Sequence, residues 1–412
     1  MFVQCILKHD DIVDGWKGPE HQNLPRRDIC ASHRHSKYLL YGVNPLEGFS
    51  FRRSLFLRAA FLAVLLDEDW TLVLPPFKQI PHWEEVRTKT GDDVQALPWS
   101  MFFNISFLQS LMNVIEFHDY VKLHGNRVDT VVRIEAHDIT IADRNNATMM
   151  ALPKYIWEYA SPGDCKPAHA AYFNSNWFPV ADMSHPIEYY EPSSYGKLRA
   201  RSVQCVKTNG NIREISPRVM NLGVNSVLLD RYENTGWDFL WSSPLYWQLR
   251  KAERFAQELY IIASNFIETH LPGEFLGAHV RSGDFRYLRT AQVRTAEHMA
   301  STLAQRLVQH SISSSNIFVA SNMSPKEHDE LTRALDRLQL KYVSFTAKTD
   351  PKFSSLHSGQ VAIVDQIICS RAKHFIGTAE SFFTGVIYDE LEVVKRIDFN
   401  GTFPQAIAKD YF

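Results

Sequence analysis

The second half of this chain alternates short apolar strands with helices, and no other feature constrains its fold as strongly. Beyond residue 273, strands are expected at residues 275–280, 317–321, 341–345 and 374–376. Between the second and third strands, Ser324 and Glu327 form a capping box with Pro325 at the first helical position, which predicts the start of a helix. Because strands that alternate with helices form a parallel sheet covered on both faces, the sequence predicts an α/β domain.

The first half begins with the same arrangement. An apolar strand at 38–43 precedes an amphipathic helix at 51–66, and a strand at 70–74 completes a βαβ unit. A further buried strand is expected at 226–230 and a long helix at 246–270. The two halves therefore share one type of architecture.

A chain of 412 residues is too long for one ordinary hydrophobic core. We therefore predict an α/β fold of two Rossmann-like domains, residues 1–240 and residues 241–412, whose parallel sheets face an interdomain cleft. Residues 151–204 are rich in aromatic and turn-forming residues. We interpret them as an insertion in the first domain.

Composition excludes several classes of function. The net charge is -2, from 44 Lys and Arg against 46 Asp and Glu, which gives no electrostatic case for a nucleic-acid partner. Apolar runs such as residues 61–66 are far too short to span a bilayer.

The sequence has no Walker loop, G-x-G-x-x-G or G-x-S-x-G element, which argues against a P-loop ATPase, a standard dinucleotide oxidoreductase and an α/β-hydrolase. We interpret the acidic run at 67–69 as a solvated turn and predict no metal site.

Two features favour the secretory route, although the first residues do not form a convincing signal peptide. Asparagines in the N-x-S/T glycosylation pattern are Asn104, Asn146, Asn322 and Asn400. Cys165 and Cys205 bracket a loop-like region and are candidates for a structural disulfide. Cys369 lies in an apolar helical pattern and is expected to be a buried free thiol.

The segment at 38–53 places an acid where α/β proteins bind ligands. The apolar strand ends before Pro45, and Glu47 follows beside Gly48, just ahead of a helix that we expect Ser50 to cap. Open α/β sheets bind ligands at the carboxyl ends of their strands, facing helix N-termini. Glu47 is therefore a candidate general base, although an acid beside glycine in a loop more often faces solvent.

A histidine and an arginine stand at the end of the strand at 275–280. His279 and Arg281 are two residues apart, so they point to the same face. Arg281 suits a forked contact with a pyrophosphate, and His279 can donate a hydrogen bond to it. The alternative is a sheet-end arginine paired with Asp284, which is a common arrangement.

Two weaker signals follow. Asp365 falls on the apolar face of a helix expected at 361–372, where a charge needs a partner. It could accept hydrogen bonds from N1–H and the exocyclic amine of guanine, or bond a backbone amide or a nearby arginine. The strand-to-helix turn at 377–383 has small residues and a serine cap, which would let its N–H groups approach a phosphate. Most turns of this kind bind nothing.

Taken together, six segments resemble the GDP-fucose protein O-fucosyltransferases, in particular those that modify thrombospondin type 1 repeats. In chain order they are NPLEGFSFRR from residue 44, LVLPP from 72, SVLLDRYEN from 226, GAHVRSGDF from 277, FVAS from 318 and AIVDQIICSRAKHFIGTAESFF from 362. The resemblance spans most of the chain and is poor at 98–218. It implies a GT-B fold with GDP-fucose in the interdomain cleft.

The resemblance also implies roles for individual residues. Glu47 corresponds to the catalytic base, and Arg281 to the group that stabilises the leaving β-phosphate. The implied contacts with GDP-fucose are Leu46, Glu47, Gly48, Phe49, Ser50, His279, Val280, Arg281, Asp365, Phe382 and Phe383.

The implied reaction is inverting transfer of fucose to a Ser or Thr hydroxyl of a folded thrombospondin type 1 repeat. It takes place in the lumen of the endoplasmic reticulum and needs no obligatory metal or other cofactor. The alternatives are a fucosyltransferase that acts on a glycan or an EGF-like repeat, and a non-catalytic folding factor that binds GDP-fucose.

The chain departs from the family pattern at three points. Ser50 stands where the family often has asparagine, and Ser282 where it often has a second arginine. No cysteine follows Cys369, so the C-terminal disulfide of relatives cannot form.

Overall fold

The chain divides into two compact units. A computed structural model describes residues 37–43, 48–66, 69–78, 80, 83, 96–136, 187–191, 195–208, 212–230, 244–283, 285–288, 290, 293–345, 353–395 and 409–412. The described residues up to Arg254 form the first unit, and those from Phe255 to Phe412 form the second. The sequence places this boundary near residue 240, because nothing in the pattern shows that the helix after it belongs to the first unit.

The first unit is built on a seven-stranded sheet. Its strands are β1 (Lys37–Tyr41), β2 (Trp70–Leu74), β3 (Val114–Glu116), β4 (Arg127–Ala136), β5 (Ile187–Glu191), β6 (Gly196–Thr208) and β7 (Ser226–Asp230). Their order is β3-β2-β1-β7-β4-β6-β5. All neighbours run parallel except β5, which is antiparallel to β6. Strand β1 lies inside the sheet, so the chain that follows it emerges at the carboxyl edge of central strands.

The helices of the first unit are α1 (Phe49–Leu66), α2 (Ile105–Gln109), α3 (Phe117–His124), α4 (Ile212–Met220) and α5 (Pro244–Ala252). Two expectations for α1 were wrong. The helix begins at Phe49, because the carbonyl of Gly48 accepts the N–H groups of Phe51 and Arg52, so Ser50 is not its cap. The helix is also not amphipathic: β2, α4 and α5 all pack against it, and most of its side chains are buried.

A buried ion-pair network of three charged side chains connects α1 to α5. Arg53 of α1 forms a forked pair with the carboxylate of Glu253, with both N···O distances at 3.2 Å. Arg250 of α5 donates to the same carboxylate at 3.1 Å. All three side chains are at most 2% exposed. The carboxylate therefore neutralises two guanidinium groups that would otherwise be costly to bury.

The region from 151 to 204, interpreted above as an insertion, includes β5 and the beginning of β6. In β6, Leu198 and Ala200 are buried while Arg199 and Arg201 are exposed, which is the period-two pattern of a strand with one covered face. The high content of charged and aromatic residues conceals this alternation in the sequence.

The single long helix expected at 246–270 was also wrong, since two helices occupy the range. Helix α5 ends at Ala252, and the next helix is capped by Ala256. In the break, the carbonyl of Arg254 accepts the N–H of Asn104 at 2.8 Å. A tertiary hydrogen bond thus takes the place of a helical one.

The second unit has a four-stranded parallel sheet, as predicted. Its strands are β8 (Leu276–Val280), β9 (Asn316–Ser321), β10 (Lys341–Val343) and β11 (His374–Ile376), in the order β10-β9-β8-β11. Its helices are α6 (Gln257–His270), α7 (Phe285–Leu288), α8 (Ala296–Gln309), α9 (Pro325–Asp336), α10 (Ser358–Ser370) and α11 (Phe382–Lys395). The capping box predicted from Ser324 and Glu327 begins α9. An apolar core of side chains from β8, β9, α8 and α9 supports one face of the sheet.

Helix α10 packs closely on β8. A Cβ atom on Gly277 would lie 2.9 Å from Cβ of Ala372 and 3.3 Å from the carbonyl oxygen of Cys369, so this strand position requires glycine. Cys369 is a buried free thiol, as predicted. The close approach brings Asp365, one turn earlier on α10, toward the sheet.

Among the described residues, no helix is long and apolar enough to cross a membrane.

Candidate functional site

Strand β8 carries a buried histidine that is held by two contacts. Nδ1 of His279 lies 2.7 Å from the hydroxyl oxygen of Thr384. The imidazole stacks on Phe383, with 4.5 Å between the ring centroids. Burial, and after it the charge of Arg281, lowers the pKa of His279 to about 3. The ring is therefore neutral at physiological pH and acts as a hydrogen-bonding group rather than a cation.

Arg281 follows β8 directly, and a threonine of the neighbouring turn fixes its backbone. Its N–H donates to Oγ1 of Thr378 at 2.9 Å, and the Thr378 hydroxyl donates to the carbonyl of His279 at 3.0 Å. Arg281 is half-buried and lines a cavity of about 420 Å³, together with Arg286 and Phe412. That volume is within the usual range for small-ligand pockets. Val280, between His279 and Arg281, points into the apolar core.

Asp365 presents a buried side-chain oxygen to its surroundings. Its Oδ1 makes no hydrogen bond with any of the described residues. Burial raises the pKa of this carboxyl well above its usual value. An unsatisfied buried acceptor is costly, and the alternative bond to a backbone amide or an arginine is not formed by Oδ1 within the described part of the chain. The arrangement suits an acid whose hydrogen-bond donors come from a ligand.

The turn from β11 into α11 is tightly packed. A Cβ atom on Gly377 would lie 2.2 Å from Cγ2 of Thr384, so glycine is required for the first turn of α11 to approach. Phe382 begins the helix and is 53% exposed. Phe383 follows it and covers His279. The two phenylalanines predicted to contact GDP-fucose thus lie at the N-terminus of one helix, in different surroundings.

Leu46 and Glu47 lie outside the described residues. Gly48 is half-buried at the start of α1, and Ser50 is buried. The ring of Phe49 packs in an aromatic cluster, 5.1 Å from Phe77 and with Trp83, Phe102 and Phe103 close by. This cluster anchors the chain two residues after the candidate base.

Ser282, the departure from the family's arginine, belongs to a polar network. Its N–H donates to Oδ1 of Asn322 at 2.8 Å, and its hydroxyl donates to Glu327. Arg286 donates to the Ser282 hydroxyl at 3.0 Å and pairs with Glu327. Burial alone would raise the pKa of Glu327, but hydrogen bonds from these groups and from Ser324 lower it to about 2. Arg286, four residues after Ser282, thus places a guanidinium at this edge of the sheet.

Sequence reasoning missed Thr378, Thr384 and Arg286. The two threonines fix the backbone and the ring of residues that were predicted, while Arg286 lines the same cavity as Arg281. The only available signal was position, because both threonines lie within three residues of the predicted cap Ser381. Threonine is too common in turns and helices for that to identify them.

One group of side chains in the described part of the chain has the spacing of metal ligands. Ligand atoms of His310, His374 and Asp410 lie within 4.8 Å of one another. Arg306, however, donates to Oδ1 of Asp410 at 2.9 Å and also pairs with Oδ2, while His374 Nε2 lies 2.9 Å from Oδ2. With both oxygens engaged by cationic or polar groups, we interpret the cluster as an anchor for residues 409–412.

Several other sequence predictions fall outside the described residues or are only partly covered. Cys165, Asp284, Asn146 and Asn400 are outside them, and for Cys205 only the backbone, on β6, is described. Asn104 caps α2 by accepting the N–H of Phe107 at 3.0 Å.

The described residues form two α/β units, and the second carries the Arg281 guanidinium, the neutral His279 imidazole and a buried Asp365 oxygen with no partner among the described residues. These features suit a glycosyltransferase of the GT-B type that uses a nucleotide sugar. The comparisons with known proteins give the particular family. The chain belongs to the GDP-fucose protein O-fucosyltransferase family, whose model matches residues 38–394. The resemblance stated from the sequence is confirmed, and the chain is an enzyme of the glycosyltransferase class.

Similar proteins cover most of the chain. It is 28% identical to GDP-fucose protein O-fucosyltransferase 2 of Homo sapiens over 402 residues, which span 89% of this chain and 84% of that protein. The protein of the same name from Caenorhabditis elegans is also 28% identical, over 87% of this chain and 84% of that protein. The crystal structure of POFUT1 in complex with GDP-fucose matches with a TM-score of 0.53, covering 92% of this chain and 99% of that chain at 14% identity. At that identity the match supports the fold, and it confirms the predicted GT-B-like α/β architecture.

Proposed function

We propose that this protein transfers fucose from GDP-fucose to a Ser or Thr hydroxyl of folded thrombospondin type 1 repeats, with inversion at the anomeric carbon. The donor is supported above all by Oδ1 of Asp365, which is buried without a partner among the described residues and suits a guanine edge. Asp365 lies in the same unit as His279 and Arg281. The acceptor is supported by Glu47 in the N-P-x-E-G-F segment, since the related enzyme for EGF-like repeats has asparagine there. The relatives named GDP-fucose protein O-fucosyltransferase 2 support the same choice.

The proposed chemistry is a single displacement. Glu47 removes the proton from the acceptor hydroxyl, whose oxygen attacks C1 of fucose. The bond from C1 to the β-phosphate oxygen breaks, and its electron pair leaves with GDP. Arg281 stabilises the charge that grows on that phosphate, as donors do in an oxyanion site. Neutral His279 and the N-terminus of α11 add uncharged hydrogen-bond donors.

A transfer assay with GDP-fucose tests the proposal. A folded thrombospondin type 1 repeat, the same repeat after reduction and unfolding, a folded EGF-like repeat and a free N-glycan serve as acceptors. Transfer to the folded thrombospondin repeat alone is expected. Preference for the EGF-like repeat or the glycan would overturn the acceptor, and GDP-fucose binding without any transfer would indicate the non-catalytic folding factor.

Arg281→Ala should lower kcat by about 10²- to 10³-fold, because removal of one preorganised donor to a developing charge typically has an effect of this size. Transfer to the preferred acceptor would be measured under saturating GDP-fucose. Arg286→Ala is the matched control, since it removes a guanidinium that lines the same cavity and pairs with Glu327, and it should change kcat less. An Arg281→Ala variant with wild-type kcat would remove this arginine from the mechanism.

Asp365→Asn should remove the preference for GDP over IDP, because only guanine offers an exocyclic amine to the carboxylate.

Burial raises the pKa of Asp365 in the free protein, whereas donors from guanine favour the ionised form. GDP binding should therefore release a proton, and affinity should rise with pH until Asp365 ionises without ligand. The nearby Tyr342 and Cys369 also have raised pKa values, chiefly through burial, so they stay uncharged. Calorimetry in buffers of different ionisation enthalpy measures the number of protons released when GDP binds. If Asp365→Asn released the same number of protons as the wild type, the assignment would be contradicted.

We also propose that the reaction takes place in the lumen of the endoplasmic reticulum. The acceptor is a disulfide-bonded extracellular domain that folds there, and the chain carries several N-x-S/T acceptors. A shift in mobility of the expressed protein after endoglycosidase H treatment is the expected result. A cytosolic, unglycosylated protein would overturn the location.

A further inference from the structure

The hydroxyl of Thr384 has an unusual partner for a threonine inside a helix. Elsewhere in this unit, the hydroxyls of Thr269, Thr302 and Thr332 each donate to the carbonyl four residues earlier. Within the described residues, the hydroxyl of Thr384 bonds only the His279 ring, at 2.7 Å from Nδ1. Thr384 therefore interacts with the neighbouring strand instead of with its own helix.

The position of Thr384 is fixed on all sides. The residue is 1% exposed, and its methyl group packs against Gly377, where even a Cβ atom would collide. The imidazole that it contacts is held in plane by Phe383. Both partners of this hydrogen bond are therefore packed against neighbouring groups.

This contact favours one position for the proton of the neutral His279 ring. A hydroxyl can donate to a bare Nδ1 or accept from a protonated one, but only the first arrangement satisfies its own hydrogen here, because the described residues offer the Thr384 hydroxyl no other acceptor. Nδ1 of the neutral ring then accepts, and the single ring proton resides on Nε2. The described residues provide no partner for Nε2, so its N–H is available to a ligand.

We propose that Thr384 is a positioning residue that holds His279 in the Nε2–H tautomer, so that an uncharged N–H donor is presented beside Arg281 to the diphosphate of the donor. The use of this donor by a diphosphate rests on the proposed function, whereas the tautomer itself does not. The opposite tautomer would turn a lone pair toward an anionic oxygen and weaken binding. The low pKa of His279 is consistent with this role, because the ring stays neutral across the physiological range.

The test compares Thr384→Val with Thr384→Ser in the full chain. Valine keeps the branched shape and loses the hydroxyl, while serine keeps the hydroxyl and loses the methyl group. Long-range ¹H–¹⁵N spectra of the ¹⁵N-histidine-labelled protein report which nitrogen of each ring is protonated. The signals of His279 are identified by their loss in His279→Gln. GDP affinity is measured by calorimetry on the same samples.

Wild type and Thr384→Ser should show protonated Nε2 and bare Nδ1 at His279, both free and with GDP. Thr384→Val should populate the Nδ1–H tautomer and bind GDP about tenfold more weakly, as expected for the loss of one hydrogen bond. The loss should appear in KM for GDP-fucose more than in kcat.

A wild-type protein with protonated Nδ1 would overturn the proposal, and that measurement does not depend on whether Thr384→Val folds. A folded Thr384→Val variant with an unchanged tautomer would overturn it as well. If GDP binds to none of the proteins, the proposed donor fails, while the spectra of the free protein still decide the role of Thr384.

Discussion

Replacing Glu47 with glutamine should lower the rate of fucose transfer by about 10²- to 10⁴-fold while GDP binding stays nearly unchanged, because general base catalysis contributes a factor of that size. Glutamine keeps the length and polarity of the side chain and removes only its basicity. The chain is anchored just beyond this residue, where the Gly48 carbonyl begins α1 and Phe49 packs among aromatic rings. The substitution should therefore leave the surrounding segment intact.

Three measurements separate the possible outcomes for Glu47. Transfer is measured with a folded thrombospondin repeat, GDP binding by calorimetry, and folding by thermal unfolding. Glu47→Asp serves as the control that keeps a carboxylate on a shorter side chain, and it should retain more activity than Glu47→Gln. If Glu47→Gln loses GDP binding as well, the residue is structural. If it transfers fucose at the wild-type rate, another group is the base.

Glu253→Ala should reduce the free energy of unfolding by about 3–5 kcal/mol, the usual cost of breaking a buried ion pair. The substitution leaves Arg53 and Arg250 buried without the carboxylate that neutralises both. Because these residues join α1 to α5, the loss should loosen the helix that begins directly after the Glu47 segment. Urea unfolding monitored by circular dichroism provides the measurement.

An exposed ion pair provides the control for Glu253. Glu274 pairs with Lys373 at 2.7 Å, with the two side chains 50% and 36% exposed, and its removal should cost less than about 1 kcal/mol. Similar small losses for Glu253→Ala and Glu274→Ala would mean that water reaches the buried arginines. The triad would then have no special part in joining the helices.

The second unit was largely predictable because its elements follow local rules. Its strands contain short apolar stretches, and the capping box of Ser324 and Glu327 occurs where the sequence placed it. The first unit was less predictable. Helix α1 contains arginines that look exposed in the sequence, yet Arg53 is buried because Glu253, 200 residues away, provides its counter-charge. No local pattern contains that information.

The candidate site likewise has features that local sequence could predict and features that it could not. His279, Arg281 and Asp365 could be selected because chemistry-bearing residues stood at strand ends or on an apolar helix face. That the Oδ1 atom of Asp365 has no partner among the described residues could not be predicted, because it depends on which groups the surrounding helices and strands place beside it. Thr378 and Thr384 could not be identified from the sequence, because their role is to form hydrogen bonds with residues that are distant in the sequence and close only in the folded structure.

The sequence by itself determined the α/β class, the family and the residue types that carry the chemistry, because these follow from hydrophobic periodicity and from ordered motifs. Only the tertiary structure decided the protonation and the partners of those residues. Burial keeps His279 neutral, and a hydroxyl that lies 105 residues away along the chain is placed at its Nδ1. Both effects depend on desolvation and on hydrogen-bond distance, which exist only once the chain has folded.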